Sequence, residues 1–301
     1  MKNGILTVLF TVLTAGICAA QTFTETIKEE RSFEKKAPNN AVMIFNINGD
    51  VSVEGYNGDK IIIEVEKRIK GKTEARLQQG KEEIQLGIVD RADTLILYVK
   101  GVCNEFGRNV NTRRSGNRRK SNGWGYNWND CNGRDCEKGY DYTMNFKVKV
   151  PASANTYAST VNDGDIDVIN INGYLTVDNI NGSISLKDIS GGTNASSING
   201  NVDLVYSGNP PADSRYYALN GDINATFRKG LAAQLTFKSF NGEFYSSVEE
   251  ITPMAVSVEK YEKGEGIHYR VNGNKYKVRQ GGPLLDFETF NGDVILKEKT
   301  N

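Results

Sequence analysis

The sequence predicts an all-β protein with a β-solenoid in its C-terminal half, a β-rich N-terminal part and one short helix. Three observations lead to this prediction. Glycine recurs in steps of nine residues at Gly164, Gly173, Gly182, Gly191 and Gly200. Apolar and polar residues alternate around these glycines, as in strands with one buried face. The 31 glycines far outnumber the 6 prolines, which is typical of many tight turns and not of proline-rich linkers.

The first twenty residues have the composition of a secretory signal peptide. Lys2 supplies the positive start, an apolar run follows over 5–17, and Ala19 and Ala20 precede Gln21. A run of this length is too short to span a bilayer stably. We therefore expect cleavage after Ala20 and export to the periplasm or cell surface of a bacterium. Acylation of Cys18 is the alternative, although Ile17 stands where lipoprotein signals carry a small residue.

Charge and hydropathy exclude several classes of function. The chain has 37 basic and 37 acidic residues, so it has no general attraction to nucleic acid. Beyond residue 20 no apolar stretch approaches the length of a membrane span, and we expect no transmembrane segment after signal cleavage. No cofactor-binding motif is present, and no cofactor is expected.

Residues 21–160 are predicted to form the β-rich N-terminal region. Asn48-Gly49-Asp50 and Asn57-Gly58-Asp59 separate alternating apolar runs, a pattern typical of β-hairpins. Thr73 precedes good helix formers up to about Gln85, which predicts one short helix with Thr73 as its N-cap. Strands are predicted over 94–102 and 140–150.

Residues 101–139 interrupt the β pattern. They are rich in Asn, Gly and Arg and nearly lack aliphatic side chains, so we predict a flexible, exposed insertion. Basic and aromatic side chains in it suit a surface glycan or another envelope polymer, through charge and stacking. These candidate ligand-binding residues are Arg113, Arg114, Arg118, Arg119, Lys120, Trp124, Tyr126 and Trp128. The alternative is a solvated loop without a ligand.

Three cysteines follow the leader, at Cys103, Cys131 and Cys136. Export permits a disulfide bond, and the odd number leaves one thiol unpaired. Pairing of Cys131 with Cys136 would close a small loop. Pairing of either one with Cys103 is the alternative.

The region 161–301 repeats the pattern apolar-Asn-Gly-x-apolar-x-apolar, with clear copies starting at Ile171, Ile180, Ile198 and Phe290. Because side chains alternate along a strand, the residues two and four positions after each glycine share one face. The predicted core positions are Ile166, Val168, Leu175, Val177, Ile184, Leu186, Val202 and Leu204.

The spacing of the glycines indicates the length of one coil. Gly182 and Gly200 are 18 residues apart, and the steps from Gly200 to Gly221 and from Gly221 to Gly242 are 21 residues each. A coil of this length holds two strands, and stacked coils form a β-solenoid. An antiparallel meander or sandwich with the same turns is the competing prediction.

Several motifs resemble a family of adhesin-like proteins of the bacterial envelope that contain a β-helical domain of unknown function. They are FNINGDVSVEG at 45–55, FKVKVP at 146–151, GGPL at 281–284 and ETFNGDV at 288–294. The resemblance covers most of the chain after the leader, apart from 101–139. It implies a right-handed β-helix and a role in the cell envelope, and it offers no catalytic residues.

No catalytic or metal motif is evident in the sequence. His268 is the sole histidine and no nucleophile motif accompanies it. Asp163, Asp165 and Asp167 alternate as calcium ligands could, but aspartate at such turns is also typical of backbone capping. We therefore expect no enzyme and no metal site, and predict an adhesin-like binding protein. The alternatives are a structural or regulatory envelope component without a ligand, and a polysaccharide-cleaving β-helix enzyme.

Overall fold

The computed structural model describes residues 21–35, 37–101, 105–108, 123–127, 139–263, 266–272 and 274–299. At 257–259, 261–263 and 266–272 it describes the backbone only. The predicted signal peptide at 1–20 lies outside the described residues. In chain order, the first elements are β1 (Gln21–Ser32), β2 (Ala41–Phe45), β3 (Val51–Tyr56), β4 (Lys60–Gly71), α1 (Glu74–Glu83), β5 (Gln85–Asp90) and β6 (Thr94–Lys100). They are followed by β7 (Glu105–Arg108), β8 (Trp124–Asn127), β9 (Tyr140–Pro151) and β10 (Asn155–Thr160).

The repeat region supplies the remaining strands. They are β11 (Ile166–Ile169), β12 (Leu175–Asn181), β13 (Ile184–Ile189), β14 (Thr193–Asn199), β15 (Val202–Tyr206), β16 (Ser214–Asn220) and β17 (Ile223–Phe227). The C-terminal strands are β18 (Ala233–Lys238), β19 (Phe244–Ser246), β20 (Ile251–Pro253), β21 (Ser257–Lys263), β22 (Gly266–Asn272), β23 (Lys275–Val278), β24 (Leu284–Asn291) and β25 (Val294–Glu298).

Two large sheets hold most of these strands. Sheet A has the order β1-β4-β9-β3-β11-β13-β15-β17-β25-β19, and sheet B has the order β20-β23-β18-β24-β16-β14-β12-β10-β2-β6-β5. The pairs β7–β8 and β21–β22 form two small antiparallel sheets of their own. The described chain is therefore mostly β with one helix, as predicted.

Between β10 and β17 the chain crosses from one sheet to the other after every strand. Strands of the same sheet pair in parallel, with Ile166 opposite Ile184 and Ile184 opposite Val202. This register reproduces the 18-residue step of the sequence. Parallel pairing is incompatible with the antiparallel meander that was the competing prediction, because neighbouring strands there run in opposite directions.

The core lies between the two sheets. All eight predicted core positions, for example Ile184 and Leu204, are at most 1% exposed. The prediction from alternation is confirmed, because each strand presents one apolar face to the opposite sheet.

Close backbone contact explains the glycines at the Asn-Gly corners. A Cβ atom on Gly182 would lie 2.1 Å from the carbonyl oxygen of Gly164, and one on Gly200 would lie 2.2 Å from that of Gly182. No side chain fits at such distances. The sequence suggested a turn with positive φ, and the structure adds stacking of successive corners as a second requirement for glycine.

The asparagines of these corners form a hydrogen-bonded ladder. The Nδ2 atom of Asn199 donates to Oδ1 of Asn181 over 2.8 Å, and Asn220 donates to Asn199 over 2.9 Å. The whole ladder comprises Asn48, Asn162, Asn181, Asn199, Asn220, Asn291 and Asn241. Each of the five inner side chains serves as both donor and acceptor, while Asn48 only accepts and Asn241 only donates, and this pattern favours one register between neighbouring strands.

The predicted hairpins at Asn48-Gly49-Asp50 and Asn57-Gly58-Asp59 are wrong. The first turn connects β2 in sheet B to β3 in sheet A, and β9 separates β3 from β4. Strand β9 pairs in parallel with β3 and antiparallel with β4. Its buried Phe146 and Val148 give it the apolar face of a central strand, which no rule based on adjacent turns takes into account.

The one helix predicted from the sequence is present, with the predicted N-cap. Thr73 is the N-cap of α1, and its hydroxyl accepts a 3.3 Å hydrogen bond from the Arg76 amide.

Strands β2 and β3 continue the ladders of the repeat through their pairing with β10 and β11. The same ladders therefore join strands on both sides of residue 160, and the domain boundary drawn there from the sequence stays a prediction.

The last two strands in the sequence are not the last in the order of their sheets. Strand β24 lies between β16 and β18, and β25 lies between β17 and β19. Consequently Gly292 stands between Gly221 and Gly242, although the 21-residue step suggested that the latter two are neighbours. The C-terminal segment occupies a position between two coils that precede it in the chain.

Candidate functional site

A groove lies on the outer face of sheet B within the repeat region. In one row across the strands, Tyr157, Thr176, Asn194 and Arg215 are register partners. Two residues further along, Ser159, Asp178, Ser196 and Tyr217 form the next row. Alternation places the core residues of the same strands on the opposite face, so both rows face outward.

A contrast in side-chain size produces the groove. Arg215 and Tyr217 on β16 are large and stand beside the smaller residues of β12 and β14, and Tyr157 on β10 contacts Asp178 from the other side. The volume of this open groove is about 440 Å³, within the usual range for ligand pockets. The groove is lined by Thr176, Asp178, Asn194, Ala195, Ser196, Arg215 and Tyr217.

Arg215 has partners of its own. Its Nη2 atom lies 2.8 Å from a carboxylate oxygen of Glu288, and its Nε atom lies 3.6 Å from Asp286. The guanidinium carbon is 5.9 Å from the centre of the Tyr217 ring. The positive charge is thus matched by two carboxylates on β24, and the wall of the groove is a connected cluster.

Asp178 lies at the groove surface, and its carboxyl group is crowded by neighbouring side chains. Loss of hydration raises its pKa, and a hydrogen bond with Tyr157 partly opposes this effect. Burial likewise raises the pKa of Tyr157, and the nearby carboxylate adds to the increase. The pair therefore places a carboxyl group and a hydroxyl group side by side at the edge of the groove.

The other polar groups of the groove are available to a ligand. Asn194 is oriented by Tyr174, since its Nδ2 atom donates to the tyrosine hydroxyl over 2.6 Å. Within the described part of the chain, no side-chain hydrogen bond is seen for the hydroxyls of Thr176, Ser196 or Tyr217. These groups present donors and acceptors without strong charge.

Two of the ligand-binding candidates of the insertion, Trp124 and Tyr126, are described. Tyr126 is only 6% exposed, and its hydroxyl donates to the Phe45 carbonyl oxygen at 3.0 Å while accepting from the Val99 amide at 2.9 Å. Burial raises its pKa strongly. Its ring packs against Phe106, so Tyr126 has a structural role that its place in a Gly- and Asn-rich segment did not predict.

Trp124 extends an aromatic stack on the outer side of sheet B. Phe106 lies between Tyr98 and Trp124, with ring centres 4.2 Å and 5.7 Å away and nearly parallel planes. The Arg91 guanidinium is 5.1 Å from the Trp124 ring. Strands β7 and β8 therefore depart from the prediction of an exposed insertion, because paired aromatic residues supply apolar surface that aliphatic content alone does not reveal.

The remaining insertion candidates lie outside the described residues. These are Arg113, Arg114, Arg118, Arg119, Lys120 and Trp128, together with Cys103, Cys131 and Cys136. Their proposed roles in ligand binding and in a disulfide stay predictions.

Other chemistry considered from the sequence can be placed. Asp165 accepts a 2.7 Å hydrogen bond from the Ser183 amide, and its own amide donates to Asp50 over 3.0 Å, in keeping with corner capping.

Across the ranges that the structure describes, no group of three or more His, Cys, Asp and Glu side chains is arranged to hold a metal ion. His268 lies on β22, whose side chains are not described. In the described part of the chain, no helix is long and apolar enough to cross a membrane.

None of the residues that line the groove was among the candidates from the sequence, because the repeat pattern singles out only its glycines and its core positions. The available signal was the 18-residue step, which aligns Thr176 with Asn194 and Asp178 with Ser196. The alignment with Arg215 and Tyr217 requires the 21-residue step across a longer turn, and the importance of Tyr157 depends on its pairing with β12.

Comparison with known proteins gives structural likeness only. No protein-family model matches the sequence. No curated protein matches it. A proposed cell adhesion protein from Clostridium sporogenes aligns with a TM-score of 0.44 and 10% identity, over 91% of this chain and 100% of the other. A proposed adhesin from Bacteroides fragilis aligns with a TM-score of 0.33 and 12% identity, over 91% of this chain and 97% of the other.

Proposed function

We propose that the protein is an exported, adhesin-like binding protein of the bacterial cell envelope, without catalytic activity, built on a right-handed two-sheet β-solenoid. The observation that carries this proposal is the outer face of sheet B. There the register brings polar and aromatic side chains from β12, β14 and β16 into one groove. A surface glycan or another envelope polymer is the expected partner, and nucleic acid is not.

The spacing of the carboxylates favours binding over hydrolysis. Asp178 and Glu288 belong to one row, with β14 and β16 between their strands. Three strand spacings amount to about 14 Å. Glycosidases act with two carboxyl groups about 5–10 Å apart, so Asp178 and Glu288 are too widely separated for that chemistry. Asp286 and Glu288 lie closer together, but both contact the Arg215 guanidinium and neither lines the groove. An assay of reducing-sugar release from envelope polysaccharides should accordingly show no activity.

The two candidate surfaces can be separated by two variants. The first combines Asp178→Ala, Asn194→Ala and Tyr217→Ala. The second replaces 109–122 by a short Gly-Ser linker and keeps β7 and β8, because deleting those strands would remove the core contacts of Tyr126. Labelled protein starting at Gln21 is incubated with purified envelope polymers and with whole bacteria, and melting temperatures confirm folding.

We expect the groove variant to lose binding. Loss in the linker variant alone would transfer the function to the insertion. If the unaltered protein binds no polymer and no cell surface, the hypothesis of a component without its own ligand replaces ours.

Mass spectrometry of the protein from its native host tests export: we expect Gln21 at the N-terminus, and a full-length cytoplasmic product would contradict the proposal.

A further inference from the structure

We infer that the groove on the outer face of sheet B binds a short stretch of an uncharged carbohydrate chain. This inference rests on the proposed function and adds the site and the ligand class. It follows from three properties of the groove: its charge balance, its hydrogen-bonding groups and the pairing state of its strands.

The charge balance disfavours an anionic ligand. Arg215 is the one basic residue lining the groove, and it already contacts Glu288 and Asp286. A ligand carboxylate or phosphate would have to share that guanidinium with two carboxylates and would also approach Asp178. Asp178 and Arg215 are the two charged residues lining the groove, and their charges are opposite, so the lining has no net charge to attract a cation either. An uncharged ligand meets neither obstacle.

The hydrogen-bonding groups match hydroxyl-rich ligands. Thr176, Ser196 and Tyr217 carry hydroxyls, and the Asn194 amide is held in place by Tyr174. Hydroxyl and amide groups each combine donor and acceptor functions, as do the hydroxyls of a sugar. The Tyr217 ring supplies an apolar surface for the face of a sugar ring, and the Arg215 side chain beside it restrains its orientation. A lipid tail would leave polar groups without partners here, since every lining residue except Ala195 carries a polar side chain.

The pairing state of the strands disfavours an extended peptide. Peptides commonly bind sheets by adding a strand to an open edge. Strands β12 and β14 have hydrogen-bonded neighbours on both sides, so their backbone groups are already used. A ligand in this groove therefore contacts side chains alone, which suits a sugar chain better than a polypeptide.

The test measures binding of oligosaccharides by calorimetry to the protein that starts at Gln21. The neutral probes are hexasaccharides of glucose, mannose, galactose and N-acetylglucosamine in both anomeric linkages, and the anionic probe is hexagalacturonate. Tyr217→Ala and Asp178→Asn alter the groove. Tyr245→Ala and Asp167→Asn are matched controls, because both residues are exposed on sheet A, away from the groove.

We expect at least one neutral probe to bind, with affinity that changes little between low and high salt because no net charge is matched. Each groove variant should weaken binding about five- to tenfold, as for loss of one or two hydrogen bonds or a stacking contact, while both controls bind like the unaltered protein. Preference for hexagalacturonate with strong salt dependence would overturn the ligand class. Neutral binding that survives both groove variants would overturn the site. If neither probes nor envelope polymers bind, the proposed function fails together with this inference.

Discussion

Arg279 and Glu298 form a two-point ion pair that fastens the last strand of the chain. Nη1 of Arg279 lies 3.0 Å from Oε1 of Glu298, and Nη2 lies 3.1 Å from Oε2. Oε1 also accepts hydrogen bonds from the amides of Gly230 at 2.6 Å and Leu231 at 3.1 Å. The cluster joins β25 to the turn before β18 and to the turn after β23. It therefore holds the C-terminal coil in its position between two earlier coils.

Replacing Glu298 by Gln should destabilise the protein. The change removes the charge that Arg279 contacts and leaves the hydrogen bonds to Gly230 and Leu231 with a weaker acceptor. We expect a decrease of about 1–3 kcal/mol in the free energy of unfolding, measured by denaturant titration. Glu249→Gln is the control, because Glu249 is exposed and nearby. Equal stability of the two variants would show that the ion pair does not fasten the coil.

The same pair should make stability depend on pH. The hydrogen bonds from Arg279 hold the pKa of Glu298 below its ordinary value. Such a group stabilises the folded state above the pKa of the unfolded chain, and this contribution disappears as the pH falls through the lower folded value. The stability difference between the unaltered protein and Glu298→Gln should thus be full at pH 7 and shrink below about pH 4.3. A difference that stays constant down to pH 2 would contradict this origin.

Truncation of a core side chain should lower the free energy of unfolding far more than truncation of a side chain on the outer face of a sheet. Ile184 is fully buried between the sheets. Ile184→Ala should cost about 2–5 kcal/mol through lost burial and the cavity left behind. Thr176→Ala, on the outer face of β12, should cost less than about 0.5 kcal/mol. Similar losses in the two variants would mean that the assignment of inner and outer faces is wrong.

Local pattern was enough to predict the parts of the fold in which each strand repeats the previous one. Alternation placed Ile166, Ile184 and Val202 in the core, and the glycine spacing gave the 18-residue step between these paired strands. Thr73 was identified as a cap because the capping hydrogen bond involves a residue only three positions away. In all these cases the deciding contacts are set by a short and regular period.

Pattern failed where distant segments decide the outcome. Strand β9 lies between β3 and β4, although it begins about 80 residues after β4 begins. Likewise, β24 lies between strands that both precede it in the chain. The groove depends on the lateral register of four strands, including the irregular step to Arg215. Phe106 and Tyr126 pair across the insertion, and no period in the sequence connects them.

The stacked corners predict an unusual sensitivity to a single methyl group. In Gly182→Ala the new Cβ atom would lie 2.1 Å from the Gly164 carbonyl oxygen, which requires a backbone shift in a paired coil. We expect a loss of at least about 2 kcal/mol, or a failure to fold. Gly208→Ala is the control, because the nearest atom to its new Cβ would be at 3.4 Å. Thermal unfolding of both proteins decides the matter, and a benign Gly182→Ala would refute the contact between corners.

The buried hydroxyl of Tyr126 provides a test of the part played by β7 and β8. In Tyr126→Phe the ring contacts with Phe106 stay, but the Val99 amide loses the hydroxyl at 2.9 Å and the Phe45 carbonyl loses a donor at 3.0 Å. An unpartnered buried polar group costs about 1–3 kcal/mol, and we expect a loss of that size in denaturant titration. Tyr245→Phe is the matched control, because Tyr245 is 50% exposed and water can replace its contact with Glu243. If Tyr126→Phe is as stable as this control, the hydroxyl of Tyr126 does not anchor β8 to sheet B. If the loss appears, only variants that keep β7 and β8 can separate binding from folding.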